Sequence, residues 1–259
     1  MKNFRVYGFR PYKVAVIHGG PGGPGELASV ARKLAKSFGV LEPLQTKDSV
    51  SGQIEELKIT LDKHTQLPVV LIGHSWGAWL AFLFATQYPK YVEKLILVSS
   101  PAFEKKSKDK TENERLGRLN ISEQKRMKEL LDVLQKPDKQ ANKKFLELAK
   151  LAAKADAFDP VPHKSDLIKA QVEIFQKVWP EADKMRVDGS LLKLGKKISC
   201  PVLAIHGDHD PHPYKGVKEP LSKTIKKFKF VLLKKCGHRP WIERQAKEEF
   251  YRILNKEIV

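Results

Sequence analysis

Five short apolar runs set the strongest limit on what this chain can fold into: Val14–Ile17, Val69–Ile72, Leu95–Val98, Val202–Ile205 and Phe230–Leu233. They are continuous and rich in Val, Ile and Leu. A strand with one wet face alternates apolar with polar residues. A strand buried on both faces does not, and that burial is typical of parallel sheets covered by helices. The stretches between them are helical in pattern, near Glu26–Phe38, Val50–His64, Trp76–Tyr88, Val217–Ile225 and Pro240–Asn255. Parallel neighbours need a crossover, usually a helix. The alternation therefore predicts an α/β fold, a mostly parallel sheet with helices on both faces. Val40–Leu44 is a weaker sixth candidate, so about six strands are expected.

One region breaks the alternation. Between Ala102 and Leu194 no buried strand is legible; Ser122–Leu134 and Lys139–Lys154 instead show apolar residues at three- and four-residue spacing. Pro137, Asp159-Pro160 and Val161-Pro162 interrupt the run. An all-helical insert between two strands of one sheet is expected to lie as a lid over the strands' carboxyl edge, where open α/β sheets hold ligands. The expected organisation is a core in two parts, 1–101 and 195–259, with a helical lid at 102–194.

Composition narrows the class. At 41% hydrophobic the chain can bury a core without a disulfide or metal staple. The start, MKNFRVYGFRPYK, lacks a long apolar segment, so no secretory signal is expected. The most apolar stretch, Trp76–Phe84, is too short to cross a bilayer. A soluble cytoplasmic protein without a membrane partner is expected. Cys200 opens one expected strand and Cys236 follows the end of the next, at opposite edges of a parallel sheet. That is too far apart for a disulfide, and two free thiols fit a reducing compartment. The formal charge is +18, and from Lys215 to Lys235 eight lysines face one acid, Glu219. This face reads as solvated surface; a docking face for an anionic partner is the second reading. Nucleic acid is not expected, because no recognised motif is present and the lysines are not interleaved with aromatic stacking platforms.

Three loops carry chemistry. Gly73-His74-Ser75-Trp76-Gly77 is G-x-S-x-G between an apolar run and a helical one, the strand–turn–helix setting in which such a serine is a nucleophile. Small flanks let strand and helix approach, and the helix N-terminus favours developing negative charge. The competing reading is a small-residue turn with an idle serine. Acyl transfer through serine also needs two N–H donors for the oxyanion. Trp76, after the serine, is expected to give one; Gly20, in His18-Gly19-Gly20-Pro21-Gly22, is expected to give the other. A phosphate-binding loop is the rival there, but neither G-x-x-x-x-G-K-[ST] nor G-x-G-x-x-G is present. His206-Gly207-Asp208-His209-Asp210 offers two aspartates on a turn beyond a late strand, and Cys236-Gly237-His238 places a histidine beyond the last one. His206, His209, His212 and the two aspartates also resemble a metal cluster. Metal ligands must converge, and this run is expected to alternate in direction, so no metal or other cofactor is expected. His18 and His74 are expected to brace the two glycine loops.

Taken together, HGGPG, GHSWG, the G-x-x-D turn and CGHRPW resemble the α/β-hydrolase superfamily, closest to its proline-iminopeptidase-like branch, over Lys13–Ser100 and Lys197–Asn255. The resemblance implies a triad of Ser75, Asp210 and His238, with Asp210 rather than Asp208 as the acid because it is the Asp of G-x-x-D. It also implies a strand and hairpin before the first glycine loop, for which 17 residues leave little room, so a trimmed sheet of six strands or slightly more is expected. A serine at the elbow argues against the epoxide hydrolases and dehalogenases of this fold, which use a carboxylate. The expected function is hydrolysis of a small-molecule ester. An aminopeptidase for short peptides is the alternative, with lid glutamates (Glu112, Glu114, Glu123, Glu129, Glu147 or Glu173) holding the amine. A non-hydrolytic ligand sensor on the same scaffold is the third reading.

Overall fold

The computed structural model describes residues 3–105, 108–134 and 139–259. A seven-stranded sheet runs in the order β1-β3-β2-β4-β5-β6-β7. Its strands are β1 (Phe4–Tyr7), β2 (Tyr12–Ile17), β3 (Gly39–Pro43), β4 (Val69–His74), β5 (Val92–Val98), β6 (Val202–Gly207) and β7 (Phe228–Leu233). All neighbours pair in parallel except β1, which pairs antiparallel with β3. The seventh strand, beyond the six apolar runs read from the sequence, is β1. Its residues are half-buried or exposed, so it lacks the continuous apolar signature that exposed the others.

Side chains along the strands sort by the two-residue period. Ala15, Ile17, Leu71, Leu95, Leu97 and Ala204 enter one core layer, with α2 (Val50–His64), α3 (Trp76–Gln87) and α9 (Lys215–Thr224). Val14, Val16, Val70, Ile72, Ile96 and Ile205 enter the other, with α1 (Ala28–Leu34) and α10 (Lys247–Ile258). Both faces are therefore dry, as the uninterrupted strands require. Helix α3 is buried from Trp76 to Thr86. An all-round apolar helix of this kind belongs inside the molecule.

The strand order fixes where a ligand can sit. From β2 the chain crosses through α1 to β3 on one side. Helix α2 then returns it to β4 on the other side of β2. Between β2 and β4 the order reverses, and crevices of open α/β sheets form at such a point, beyond the strands' carboxyl ends. Both glycine loops leave from these two strands.

Between β5 and β6 the described residues form α4 (Lys108–Gly117), α5 (Ile121–Val133), α6 (Ala141–Asp156), α7 (Val172–Val187) and α8 (Ser190–Leu194). Pro137 lies outside the described residues. Helix α5 starts on a capping box: the Glu123 N–H donates to Asn120 Oδ1 at 3.0 Å and the Asn120 N–H to Glu123 Oε2 at 3.2 Å. Helices α5 and α6 share a small apolar cluster that includes Met127, Leu130 and Leu148. Helices α7 and α8 are not a detached cover, since Ile174, Val178, Ala182 and Leu191 belong to the main core. Trp179 stacks on Trp79 of α3 with ring centres 5.6 Å apart. The lysines of 215–235 lie on α9, β7 and their connections, at one edge of the sheet. Among the described residues no helix is long and apolar enough to cross a membrane.

Candidate active site

Ser75 stands between β4 and α3 with φ +53° and ψ −121°. A positive φ strains a residue with a Cβ, and such strain persists only where the surroundings enforce it. Here they do. The Ser75 N–H donates to the Val98 carbonyl at 3.0 Å, and the Ser75 carbonyl accepts from Ala78 N–H at 2.9 Å. A Cβ at Gly73 would overlap the Gly77 carbonyl, and one at Gly77 would overlap the carbonyls of Ile17 and His18. Only glycine at both flanks lets α3 start this close to the sheet.

The loop after β2 crosses beside the serine. A Cβ on Gly19 would lie 3.2 Å from that of Ser75, and Gly20 holds φ +118°, a conformation that suits glycine. Trp76 is the first residue of α3, so its N–H has no acceptor within the helix. His18 is fully buried; its Nδ1 lies 2.8 Å from the Gly19 carbonyl, and its Nε2 accepts from Gln45 N–H at 3.3 Å. Burial lowers its pKa to about 4.

Glu26 joins this loop to the elbow. Its Oε2 accepts from Gly19 N–H at 3.0 Å and lies 3.1 Å from His74 Nδ1, while His74 Nε2 lies 3.0 Å from the His238 carbonyl. Burial works to raise the Glu26 pKa, but His74 outweighs it, helped by Arg239 and His238, and the carboxyl falls to about 2. Sequence reading placed His74 as a brace but gave Glu26 no part. Its position seven residues after Gly19, in a glycine- and proline-rich stretch, carries no recognisable signal.

Asp210 and His238 meet. His238 Nδ1 lies 2.8 Å from Asp210 Oδ2, and both residues are buried. Burial favours the neutral carboxyl, yet His238 and His206 hold Asp210 well below the ordinary carboxylate range. Burial likewise disfavours the His238 cation, but Asp210 overrides it and holds the imidazole above its ordinary 6.5. Asp208 faces elsewhere: it is exposed, accepts from Cys236 N–H at 3.3 Å and lies 3.8 Å from Lys234 Nζ.

The expected alternation of direction in this turn is corrected. His206 Nε2 lies 3.3 Å from Asp210 Oδ2, and His212 turns inward as well, so that ligand atoms of Asp210, His212 and His238 lie within 4.8 Å of one another. Pro211, buried behind Asp210, lets the chain fold back on itself. The carboxylate is already engaged: Oδ2 faces His238 and His206, and Oδ1 accepts from His212 N–H at 2.9 Å. This is the bonding of a hydrogen-bond hub. Burial lowers the pKa of both His206 and His212.

The loop bearing His238 is held from below and above. Glu243, fully buried, accepts from Gly237 N–H at 3.1 Å, Phe158 N–H at 3.0 Å and Asp159 N–H at 2.8 Å. The His238 N–H donates to the carbonyl of Asp156, at the end of α6, at 2.9 Å. The Asp156 carboxylate takes two 2.7 Å hydrogen bonds from Arg115 of α4. Glu243, Asp156 and Arg115 were invisible to motif reading because their partners are distant in sequence.

Ser75 and Gly20 line two cavities. One, of about 460 Å³, also meets His238, His74 and Glu26. The other, of about 340 Å³, runs under the inserted helices past Met127, Leu148, Phe175 and Trp179. Of the six glutamates considered for an amine, Glu112 lines this second cavity; Glu114 pairs with Arg118, Glu123 with Lys154, and Glu129 and Glu147 with Arg126, while Glu173 lies in the first turn of α7.

A serine at a helix N-terminus, beside a glycine loop and a histidine backed by a buried carboxylate, is a set of groups suited to acyl transfer. The comparisons agree at the level of class. Residues 47–245 match the family model described as serine aminopeptidase, S33, and the chain belongs to that family. It is a hydrolase of the α/β-hydrolase fold. AB hydrolase superfamily protein YclE of Bacillus subtilis (strain 168) is 25% identical over 205 residues, 76% of this chain and 70% of that protein. Among solved structures, VinJ superposes with a TM-score of 0.68 at 16% identity, covering 98% of this chain and 93% of its own. A carboxylesterase structure from the thaumarchaeon Nitrososphaera gargenis gives 0.64 at 20% identity, with 98% and 93% coverage. At these identities the two structures speak to the fold alone.

Proposed function

We propose that the chain is a serine hydrolase that cleaves small-molecule esters through an acyl-enzyme. The observation that carries this reading is the 2.8 Å contact between buried Asp210 and His238, with His238 in a cavity wall shared with a Ser75 held at positive φ. In the proposed cycle His238 takes the proton of Ser75 as its oxygen attacks the ester carbonyl. Asp210 orients the imidazole and stabilises its cation. The N–H groups of Gly20 and Trp76 receive the oxyanion. His238 then protonates the leaving alcohol, and water, deprotonated in turn by His238, releases the acid and restores Ser75. The insert 102–194 acts as the lid, a role supported by the cavity walls it contributes. Two buried free thiols support a cytoplasmic setting.

The apolar wall under the lid favours an acyl ester over a free amine. A second reading, an aminopeptidase for short peptides, draws on Glu112 in that wall and on the name of the family. Glu112 is exposed and stands one helical turn from Arg115, which weakens it as an amine clamp. Comparing activated esters with aminoacyl amides separates the two.

The test is labelling by a fluorophosphonate probe, which reports the activated serine whatever the substrate. The wild type should label once, and Ser75→Ala should not label. Equal labelling of Ser75→Ala would overturn the assignment, and a wild type that binds ligands but never labels would favour a non-hydrolytic role.

A further inference from the structure

One cation in the smaller cavity has no part in the proposed cycle. Arg186, in the last turn of α7, lines the cavity of about 340 Å³ that opens at Ser75 and Gly20. Its side chain is 5% exposed. Its guanidinium carbon lies 5.4 Å from the centre of the Trp79 ring, and Nη2 donates to Asp183. Among the described residues Nε is buried with no hydrogen-bond partner. A buried donor left unpaired is costly, more so on a charged group, and native proteins keep few of them. The other arginine in the wall, Arg115, is committed to Asp156 through two hydrogen bonds. Arg186 is thus the cation in this wall with a donor to spare. Its neighbours there, Met127, Leu131, Phe175 and Trp179, would suit an apolar chain.

We propose that this cavity takes a short acyl chain ending in a carboxylate, which Arg186 receives while the ester carbonyl lies at Ser75. The inference rests on the acyl-transfer reading and names its substrate class. A guanidinium presents five N–H donors in one plane, and its place over the Trp79 ring together with the Asp183 ion pair restrains that plane. A fixed plane suits the two oxygens of a carboxylate. The cavity is near the lower end of the usual range for ligand pockets, about 300–1,000 Å³, which limits the acyl part to a short chain. The competing explanation is that Arg186 only fastens α7 to α3. On that account its loss harms every substrate alike.

The experiment compares two esters of one chain length, p-nitrophenyl hexanoate and the mono-p-nitrophenyl ester of adipic acid, on the wild type, Arg186→Met and Arg186→Lys. Methionine keeps bulk against Trp79 and removes all donors; lysine keeps the charge and loses the planar fork. The wild type should favour the adipate half-ester in kcat/KM by about 10- to 100-fold, the span of one charged hydrogen bond. Arg186→Met should lose that preference while cleaving hexanoate within about threefold of wild type, and Arg186→Lys should fall between. If Arg186→Met does not fold, the wild type still decides, since its kcat/KM ratio for the two esters reads the carboxylate preference directly. No preference in the wild type, or an equal fall on both esters, overturns the inference. Fluorophosphonate labelling of the same samples separates the failures. Absent labelling removes the acyl-transfer reading and this inference with it; labelling and hexanoate turnover without a carboxylate preference remove this inference alone.

Discussion

Removing the charge of Glu26 tests whether a carboxylate outside the proposed catalytic trio sets the geometry of the loop proposed to hold the oxyanion. One oxygen, Oε2, faces both Gly19 N–H at 3.0 Å and His74 Nδ1 at 3.1 Å. The fold lowers its pKa from 4.5 to about 2. At 1.36 kcal/mol per unit that shift corresponds to about 3 kcal/mol. The side chain is 27% exposed, so solvent screening reduces it to about 2 kcal/mol. The group is a carboxylate with a depressed pKa. Its stabilisation is therefore complete above about pH 4.5 and is lost as pH falls through about 2. Urea unfolding should show the gap between wild type and Glu26→Gln closing by about 2 kcal/mol over that window. Turnover should follow the geometry. Glu26→Gln retains an oxygen acceptor and should lose about 10-fold in kcat on a small ester. Glu26→Ala frees the Gly19 N–H, and with the loop displaced by about 1 Å it should lose about 100-fold. A Glu26→Ala protein with full kcat and an unchanged acid unfolding profile would refute the reasoning.

Two further outcomes concern the acid and the base. Asp210→Asn should lower kcat by about 10⁴, as loss of the orienting acid does in a serine protease, whereas Asp208→Asn, at an exposed contact with Lys234, should stay within about 10-fold of wild type; steady-state kinetics on one ester reads both. The pH profile of kcat/KM should rise with pH through a midpoint above 6.5, because Asp210 holds His238 above its ordinary value and the protonated ring cannot act as base. In residual Asp210→Asn activity the midpoint should fall, since burial is then opposed by Asp156 without the larger pull of Asp210, and an unmoved midpoint would show that another group titrates.

The elements legible in the sequence were those whose burial is uniform. Five strands and α2, observed as Val50–His64 where the pattern placed it, declare themselves because their environment repeats along the chain. Elements built by exception were misread. Strand β1 is half-exposed and carries no periodic signature. The pattern near Glu26–Phe38 starts as helix only at Ala28, because Glu26 is turned toward Gly19 and His74. The expected helix Pro240–Asn255 is a 3₁₀ turn at Pro240–Ile242 followed by α10 from Lys247. The gap holds Glu243, whose carboxylate is occupied by three backbone N–H groups, two of them more than 80 residues away. Of the residues at the candidate site, Ser75, Gly20, Trp76 and His238 could be read from local motifs. The choice between Asp208 and Asp210 came from resemblance, since two aspartates two residues apart differ only in how the chain turns at Pro211.

The unread residues share a physical reason. Loops that approach a substrate closely are rich in glycine, and Gly19, Gly20, Gly22 and Gly237 bring no side chain with which to pack. Such loops cannot be anchored by apolar burial, so their backbone N–H groups must be fixed by acceptors supplied from elsewhere. Here two acceptors are carboxylates, Glu26 for Gly19 and Glu243 for Gly237, and the third is the backbone carbonyl of Asp156 for His238, the Asp156 carboxylate anchoring that residue to α4. Two of these carboxylates are matched by partners of opposite character, Glu26 by His74 and Asp156 by Arg115. A chain with 30 acids against 48 basic residues thus commits several acids to its candidate site and leaves lysines to the surface. Core stability and site geometry then rest on separate interactions. Substitutions at these carboxylates should disturb turnover before they unfold the sheet, whereas truncating Phe82 or Phe84, fully buried in α3, should unfold the protein without any selective effect on the site.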